Sequence, residues 1–134
     1  MSSMIRELSL FNFFDRLFTQ MNGDLPRISP LQLLNDPEVP YLRICAPMVR
    51  YSKLPFRDLV RKYNVDVAFT PMILADVFKH SKEAKDIEYQ TNEQDQPVVV
   101  QFAASNAVDL ADAAELVARY SNGVDLNCGC PQKW

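Results

Sequence analysis

Four short apolar runs, separated by segments with helical periodicity, limit the possible fold of this chain more than any other feature. The runs cover 41–46, 65–70, 97–102 and 123–127, and helices are predicted over 53–63, 74–80 and 106–120. Strands that alternate with helices pair in parallel through right-handed crossovers. The sequence Val98-Val99-Val100 is typical of a strand buried on both faces. We therefore predict an α/β fold with about four parallel strands and intervening helices.

The segment 106–120 is the clearest of the predicted helices. Asn106 and Asp109 resemble a capping box at its start, and Gly123 stands where such a helix should stop. Its apolar face is predicted to consist of Leu110, Ala113, Ala114 and Val117, opposite a charged face. For the earlier helix over 53–63, the predicted apolar side consists of Leu54, Leu59 and Val60.

Polar, proline, methionine and cysteine residues lie at the carboxyl ends of the predicted strands. They are Pro47-Met48, Thr70-Pro71-Met72, Gln101 and the stretch 127–130. In a (β/α)8 barrel these ends converge on the catalytic face. No glycine-rich loop follows the first run and the chain has 3 glycines, which argues against a dinucleotide-binding or P-loop fold. We expect the N-terminal half of a TIM barrel, truncated after its fourth strand.

The chain divides into an N-terminal extension, residues 1–40, and a half-barrel domain, residues 41–134. The extension contains a candidate amphipathic helix over 9–21 and four prolines between 25 and 40, so we expect it to be partly helical or irregular. It could serve as a packing arm or as a partner-binding or targeting helix.

Composition narrows the class of protein further. A net charge of -3 lacks the basic signature of a dedicated nucleic-acid binder, and no run reaches the roughly 18 apolar residues of a membrane span. Three cysteines without a secretory signal indicate a reducing compartment, cytoplasmic or nuclear. Cys128, Cys130 and the single histidine, His80, cannot complete a zinc shell, so no metal is expected and Cys128 is expected to pack.

Four motifs along the chain resemble those of the tRNA-dihydrouridine synthases. They are ICAPMVRYSKLPFR at 44–57, TPMI at 70–73, VQFAA at 100–104 and DLNCGCPQ at 125–132. The first and last are most similar to the eukaryotic 20a/20b branch, which modifies adjacent D-loop uridines. The resemblance implies a flavoprotein that uses FMN, with NAD(P)H as reductant, to saturate the C5=C6 bond of uridine in tRNA.

The resemblance also implies roles for individual residues. Cys130 matches the family's proton donor, and Gln101 matches a glutamine that hydrogen-bonds the isoalloxazine ring. Asn127 matches a residue that faces the substrate uracil. The loop against the flavin ring is matched by Pro47, Met48 and Val49.

Elementary chemistry is compatible with these roles. A thiol with a reference pKa of about 8.5 carries its proton at neutral pH yet can deliver it. The amide of Gln101 offers the donor and acceptor that a flavin's pyrimidine edge requires. Simpler interpretations stay open: Cys130 could be a small packed residue, Gln101 could bond to a loop, Asn127 could stabilise its own turn, and Pro47 could only end a strand.

Lys53, Arg57 and Arg61 recur at intervals of four residues, close to Arg50. Such a stripe predicts one helix face, which is either solvated or in contact with RNA phosphates.

Two alternatives to an active synthase remain. The chain could be an inactive half-barrel whose exposed first and fourth strands favour self-association. It could also belong to another FMN-dependent barrel, such as a dihydroorotate-type dehydrogenase. Since the resemblance places the RNA-binding helical domain and the later flavin-binding strands beyond residue 134, the chain alone is not expected to copurify with stoichiometric flavin.

Overall fold

A computed structural model describes residues 28–131 of the chain. Its elements run in the order α1 (Pro30–Asn35), β1 (Ile44–Cys45), α2 (Leu54–Arg61), β2 (Val67–Phe69), β3 (Ile73–Leu74), α3 (Ala75–His80), α4 (Lys82–Glu88), β4 (Val98–Ala103), α5 (Ala107–Val117) and β5 (Gly123–Leu126). The predicted α/β fold, with parallel strands and intervening helices, is confirmed. The predicted helix over 9–21 lies outside the described residues.

Every pair of neighbouring strands in the sheet runs parallel. β1 pairs with β2, β2 with β4, and β4 with β5. β3 pairs with the carboxyl end of β4, on the same edge as β2, because β5 occupies the opposite edge. Sequential neighbours of this kind fit part of a β/α barrel, in which β2 and β3 together form the second strand. Within residues 28–131, β1 and β5 are the outer strands of the sheet.

The segment between β2 and β3 has one residue more than the segment of β4 that it faces. Phe69 pairs with Val99 and Ile73 with Phe102, so three residues on one strand oppose two on the other, as in a β-bulge. Thr70 repairs the interrupted ladder: its hydroxyl accepts a hydrogen bond from the Gln101 N–H at 3.1 Å and donates one to the Pro71 carbonyl at 2.9 Å. The bulge therefore interrupts the second strand without leaving the buried Gln101 amide unpaired.

The central strand β4 is buried along its whole length. Val100 and Phe102 face the helical layer, where Phe102 packs against Phe78 of α3 with ring centroids 5.4 Å apart. Alternation along the strand turns Val99 and Gln101 to the opposite face. That second face is the interior face of a barrel, and it carries the polar residues described below.

Helix α5 begins as predicted but ends earlier. The Asn106 side chain accepts a hydrogen bond from the Asp109 N–H at 2.9 Å, which confirms the predicted cap. The hydrogen bond from Lys79 lowers the pKa of the Asp109 carboxyl below its ordinary value. The assignment of Gly123 as the helix stop was wrong, because the helix ends at Val117 and Gly123 begins β5.

The predicted orientation of helix α2 was also wrong. Leu59, expected on the buried side, has 48% of its surface exposed, whereas Arg57 is only 1% exposed. The Arg61 side chain is 13% exposed. Neither arginine therefore belongs to a solvated outer face or an RNA-contacting stripe. Lys53 lies outside this buried region and pairs with Glu88.

A buried ion pair explains why Arg57, on the inner side of α2, is buried. The Arg57 guanidinium contacts the fully buried carboxylate of Asp95, with Nη2 2.6 Å from Oδ2 and Nε 3.0 Å from the same oxygen. Arg57 also donates to the carbonyls of Ser52 and Gln90, each at 2.7 Å. Since Asp95 also accepts from Thr91 at 3.2 Å, this network ties α2 to the loop that leads into β4.

Replacing Asp95 should destabilise the fold strongly. Asp95→Asn retains the shape but leaves the Arg57 charge buried without its counter-ion, which typically costs about 3–5 kcal/mol. Urea unfolding followed by circular dichroism measures this loss. The matched control is Glu88→Gln in the exposed Lys53 pair, which should cost less than about 1 kcal/mol. Equal effects of the two variants would contradict the role given to the buried pair.

Candidate functional site

Gln101 and Asp125 form a directly opposed pair across β4 and β5. The Gln101 Nε2 donates to Asp125 Oδ2 at 2.6 Å, and only 7% of the Gln101 surface is exposed. A buried amide at this position would be costly without such partners. Register and alternation thus place a satisfied polar pair on the interior face, near the carboxyl ends of the strands.

Asn127 extends this network into the turn that follows β5. Its Nδ2 donates to Gln101 Oε1 at 3.1 Å, and its Oδ1 accepts from the backbone N–H groups of Gly129 at 3.0 Å and Cys130 at 2.9 Å. Its own N–H bonds to the Phe102 carbonyl at 2.8 Å. The turn that carries Cys130 is therefore held by one side chain, in the manner of an Asx turn.

The two thiols of this turn differ in exposure. Cys130 is partly buried, whereas Cys128 is exposed, so the expectation that Cys128 packs was wrong. Strand alternation no longer applies after Leu126, and the turn directs the first thiol outward. A Cβ atom on Gly129 would meet no atom within 4 Å, so the structure gives no steric reason for glycine there.

The predicted flavin loop lies after β1 and is organised by Ser52. The Ser52 hydroxyl accepts from the Met48 N–H at 2.9 Å and donates to the Met48 carbonyl at 3.2 Å. The same carbonyl accepts from the Tyr51 N–H at 3.1 Å, which closes a β-turn with Arg50 at φ 70°. A left-handed conformation is unusual for a residue with a Cβ atom and is normally supplied by glycine or asparagine.

The Met48 backbone is thus committed to its own turn. Among the hydrogen bonds of residues 28–131, none joins Pro47, Met48 or Val49 to another predicted site residue. The Val49 N–H likewise has no hydrogen-bond partner in that part of the chain. Val49 instead lines a cavity of about 340 Å³ beside Pro71 and Met72 of the bulge.

The predicted site residues therefore fall into two groups. Gln101, Asn127 and Cys130 are brought together by hydrogen bonds, while the loop at 47–49 lies at the end of a strand separated from β4 by β2. Asp125 is a site residue that sequence reasoning missed. The available signal was the predicted strand over 123–127, whose alternation would place Asp125 on the same face as Asn127.

The described chain shows neither a metal-binding cluster nor a membrane-spanning helix. Within residues 28–131, no group of three or more His, Cys, Asp or Glu side chains is arranged to hold a metal ion. None of the helices in that part has the length and apolar character needed to cross a bilayer.

Comparison with known proteins identifies the family. Residues 44–134 match the family described as dihydrouridine synthase. A Mus musculus protein named as like the tRNA-dihydrouridine(20a/20b) synthase is 53% identical over 105 residues, which cover 78% of this chain and 32% of the relative. A Homo sapiens protein of the same name is 52% identical over the same shares of both chains.

A Schizosaccharomyces pombe tRNA-dihydrouridine(20a/20b) synthase is 52% identical over 93 residues, which cover 69% of this chain and 28% of the relative. The chain belongs to the dihydrouridine synthase family, a family of enzymes, as its motifs predicted. It spans about a third of the length of the curated relatives it matches.

The three thiols should differ in their reactivity toward alkylation. Burial raises the pKa of the Cys45 thiol, which lowers the fraction of reactive thiolate at a given pH, whereas Cys128 is exposed. Pulses of iodoacetamide at about pH 8, followed by peptide mass spectrometry, should modify Cys128 at least several-fold faster than Cys45. The denatured chain serves as the control and should lose this difference. Equal rates in the folded chain would contradict the described burial.

Proposed function

We propose that the strand-end residues of this chain belong to the active site of a tRNA-dihydrouridine synthase of the 20a/20b type. In this proposal residues at the carboxyl ends of the strands would hold FMN, for which NAD(P)H would be the reductant. The substrate is a D-loop uridine of tRNA. The family match and the names of the relatives support this proposal.

One structural observation carries the proposal. A single hydrogen-bonded network on the interior face holds Gln101, Asn127 and the turn of Cys130 together at the carboxyl end of the sheet. Barrel enzymes act at this end of their strands. Two amides and a thiol are suited to binding a heterocycle and protonating it.

The donor set of this site fits an FMN ring. The Gln101 amide uses one of its two N–H groups on Asp125 and one oxygen lone pair on Asn127, which leaves one donor and one acceptor for a ligand. The Val49 N–H is a second donor without a partner in the described chain. These two residues, with Pro47 and Met48 against the ring, would hold the cofactor.

FMN, when bound and reduced, would supply the hydride that saturation of the uracil C5=C6 bond requires. Cys130 would supply the proton for the other carbon from Sγ, leaving a thiolate that water re-protonates. Asn127 has one remaining Nδ2 N–H, because the other is donated to Gln101, and its Oδ1 is engaged by the turn. That N–H could bind a uracil carbonyl and orient the base.

The substrate has to leave its stack to reach this site, as for other enzymes that act on a base. Arg57 and Arg61 are committed to Asp95, so the proposed tRNA contact does not rest on them. We also propose a cytoplasmic or nuclear location, since thiols stay reduced there. Self-association through β1 and β5 stays a prediction.

Replacing Cys130 tests the proposed chemistry. The experiment uses a hybrid enzyme, in which this chain replaces the matched segment of the mouse relative. Cys130→Ala should leave its FMN absorbance unchanged and lower dihydrouridine formation in tRNA by at least about 100-fold, the usual contribution of a general acid. Dihydrouridine is quantified by mass spectrometry of digested tRNA. Cys128→Ala is the matched control and should retain activity.

Three outcomes would contradict the proposal. Full activity of Cys130→Ala would remove the thiol from its role as acid. An equal loss in Cys128→Ala would indicate a general effect on the turn. A hybrid that binds FMN and oxidises dihydroorotate, but leaves tRNA unmodified, would favour another FMN-dependent barrel.

A further inference from the structure

Asp125 has no assigned role, yet it lies at the start of the network that ends at Cys130. Its carboxylate oxygen is 2.6 Å from the Gln101 Nε2, the shortest contact in the network. Asp125 is half-buried and stands directly opposite Gln101 in the parallel ladder. Backbone register, rather than a flexible loop, therefore sets this contact.

A carboxylate only accepts hydrogen bonds, whereas an amide has a donor end and an acceptor end. Asp125 therefore requires the NH₂ group of Gln101 to point toward it, which turns Gln101 Oε1 toward Asn127. That oxygen in turn requires the NH₂ group of Asn127, at 3.1 Å. Asn127 is left with its Oδ1 facing the turn, where the N–H groups of Gly129 and Cys130 need an acceptor.

We propose that Asp125 is a positioning residue, whose carboxylate sets the direction of the Gln101 and Asn127 amides and thereby holds the turn of Cys130. Reversal of either amide would break the series. With Asn127 reversed, its NH₂ group would face two backbone N–H groups, and the turn would lose both of its acceptor contacts. Without Asp125, only the longer contact with the Asn127 Nδ2, at 3.1 Å, distinguishes the two orientations of Gln101.

The same direction decides what the site offers to a ligand. Gln101 keeps one N–H and one lone pair, and Asn127 keeps one N–H but no free acceptor on Oδ1. A bound base would thus meet a donor from Asn127, which suits a uracil carbonyl rather than a ring N–H. This consequence rests on the proposed function, whereas the hydrogen-bond series does not.

The test uses the 134-residue chain and the solvent exchange rates of its backbone amides, measured by nuclear magnetic resonance. Asp125→Asn keeps the size of the side chain, but the new amide can both donate and accept. Residue 125 therefore no longer imposes the direction of the Gln101 amide. Exchange at Gly129 and Cys130 should accelerate about 2- to 10-fold, the equivalent of one hydrogen bond. The Val100 amide in β4 is the internal control and should not change.

A double variant separates positioning from general support of the fold. Asp125→Asn with Gln101→Glu exchanges the carboxylate and the amide, so the acceptor-only group now stands next to Asn127 and again requires its NH₂ group. Protection of Gly129 and Cys130 should return to within about 2-fold of the original chain, which is the coupling expected of residues in one network. In the hybrid enzyme, the same double variant should still bind FMN poorly, because the Gln101 amide is absent.

The outcomes distinguish this proposal from the proposed function. Unchanged exchange in Asp125→Asn overturns the positioning role, and so does acceleration that also affects Val100 and persists in the double variant. If Asp125→Asn fails to fold, recovery of folding in the double variant supports the role and continued failure overturns it. If the exchange results are as expected but the hybrid enzyme never modifies tRNA, only the proposed function fails.

Discussion

The complete burial of strand β4 is the constraint on which the rest of this structure depends. A strand buried on both faces must pair all of its backbone groups, and parallel neighbours on both edges do so. Its one polar side chain, Gln101, must also find partners in the interior. Asp125 of the next strand and Asn127 of the turn after it provide them. The need to satisfy a buried amide therefore links the packing of the sheet to the position of the Cys130 turn.

A second buried polar group connects the sheet to the loop after β1. Arg57 contacts Asp95 before β4 and the carbonyl of Ser52, and the Ser52 hydroxyl closes the turn at Met48. A buried ion pair adds little net stability compared with apolar packing, although removal of one partner is costly. The pair instead fixes the position of the loop at 47–49, the predicted flavin loop, relative to the central strand.

The sequence was informative wherever local pattern and burial agree. The β-branched run at Val98, Val99 and Val100 and the cap at Asn106 both predict observed elements. Helix α4 was missed because none of its residues is buried, which leaves no apolar face to recognise. β3 was missed because Pro71 interrupts the apolar pattern, and only the bulge around Thr70 lets pairing resume.

The hydrogen bonds that connect the predicted site residues could not be predicted from the sequence. Periodicity placed Arg57 on a surface stripe. Its burial depends on Asp95, which lies 38 residues away in sequence and is therefore absent from any local pattern. Asp125 carried no signal by itself, since its importance comes from the register that sets it opposite Gln101. The exposure of Cys128 depends on the turn that Asn127 organises. Such long-range contacts are set by tertiary structure, which local patterns do not record.

The central claim is that the strand ends of this chain form one face that binds a flavin and presents Cys130 to a base. A crystal structure of the hybrid enzyme with FMN tests it most directly. We expect the isoalloxazine ring to lie against Pro47, Met48 and Val49, to hydrogen-bond to Gln101, and to leave Cys130 Sγ facing its open side. A flavin bound away from Gln101, or a Cys130 thiol directed away from the ring, would contradict the account.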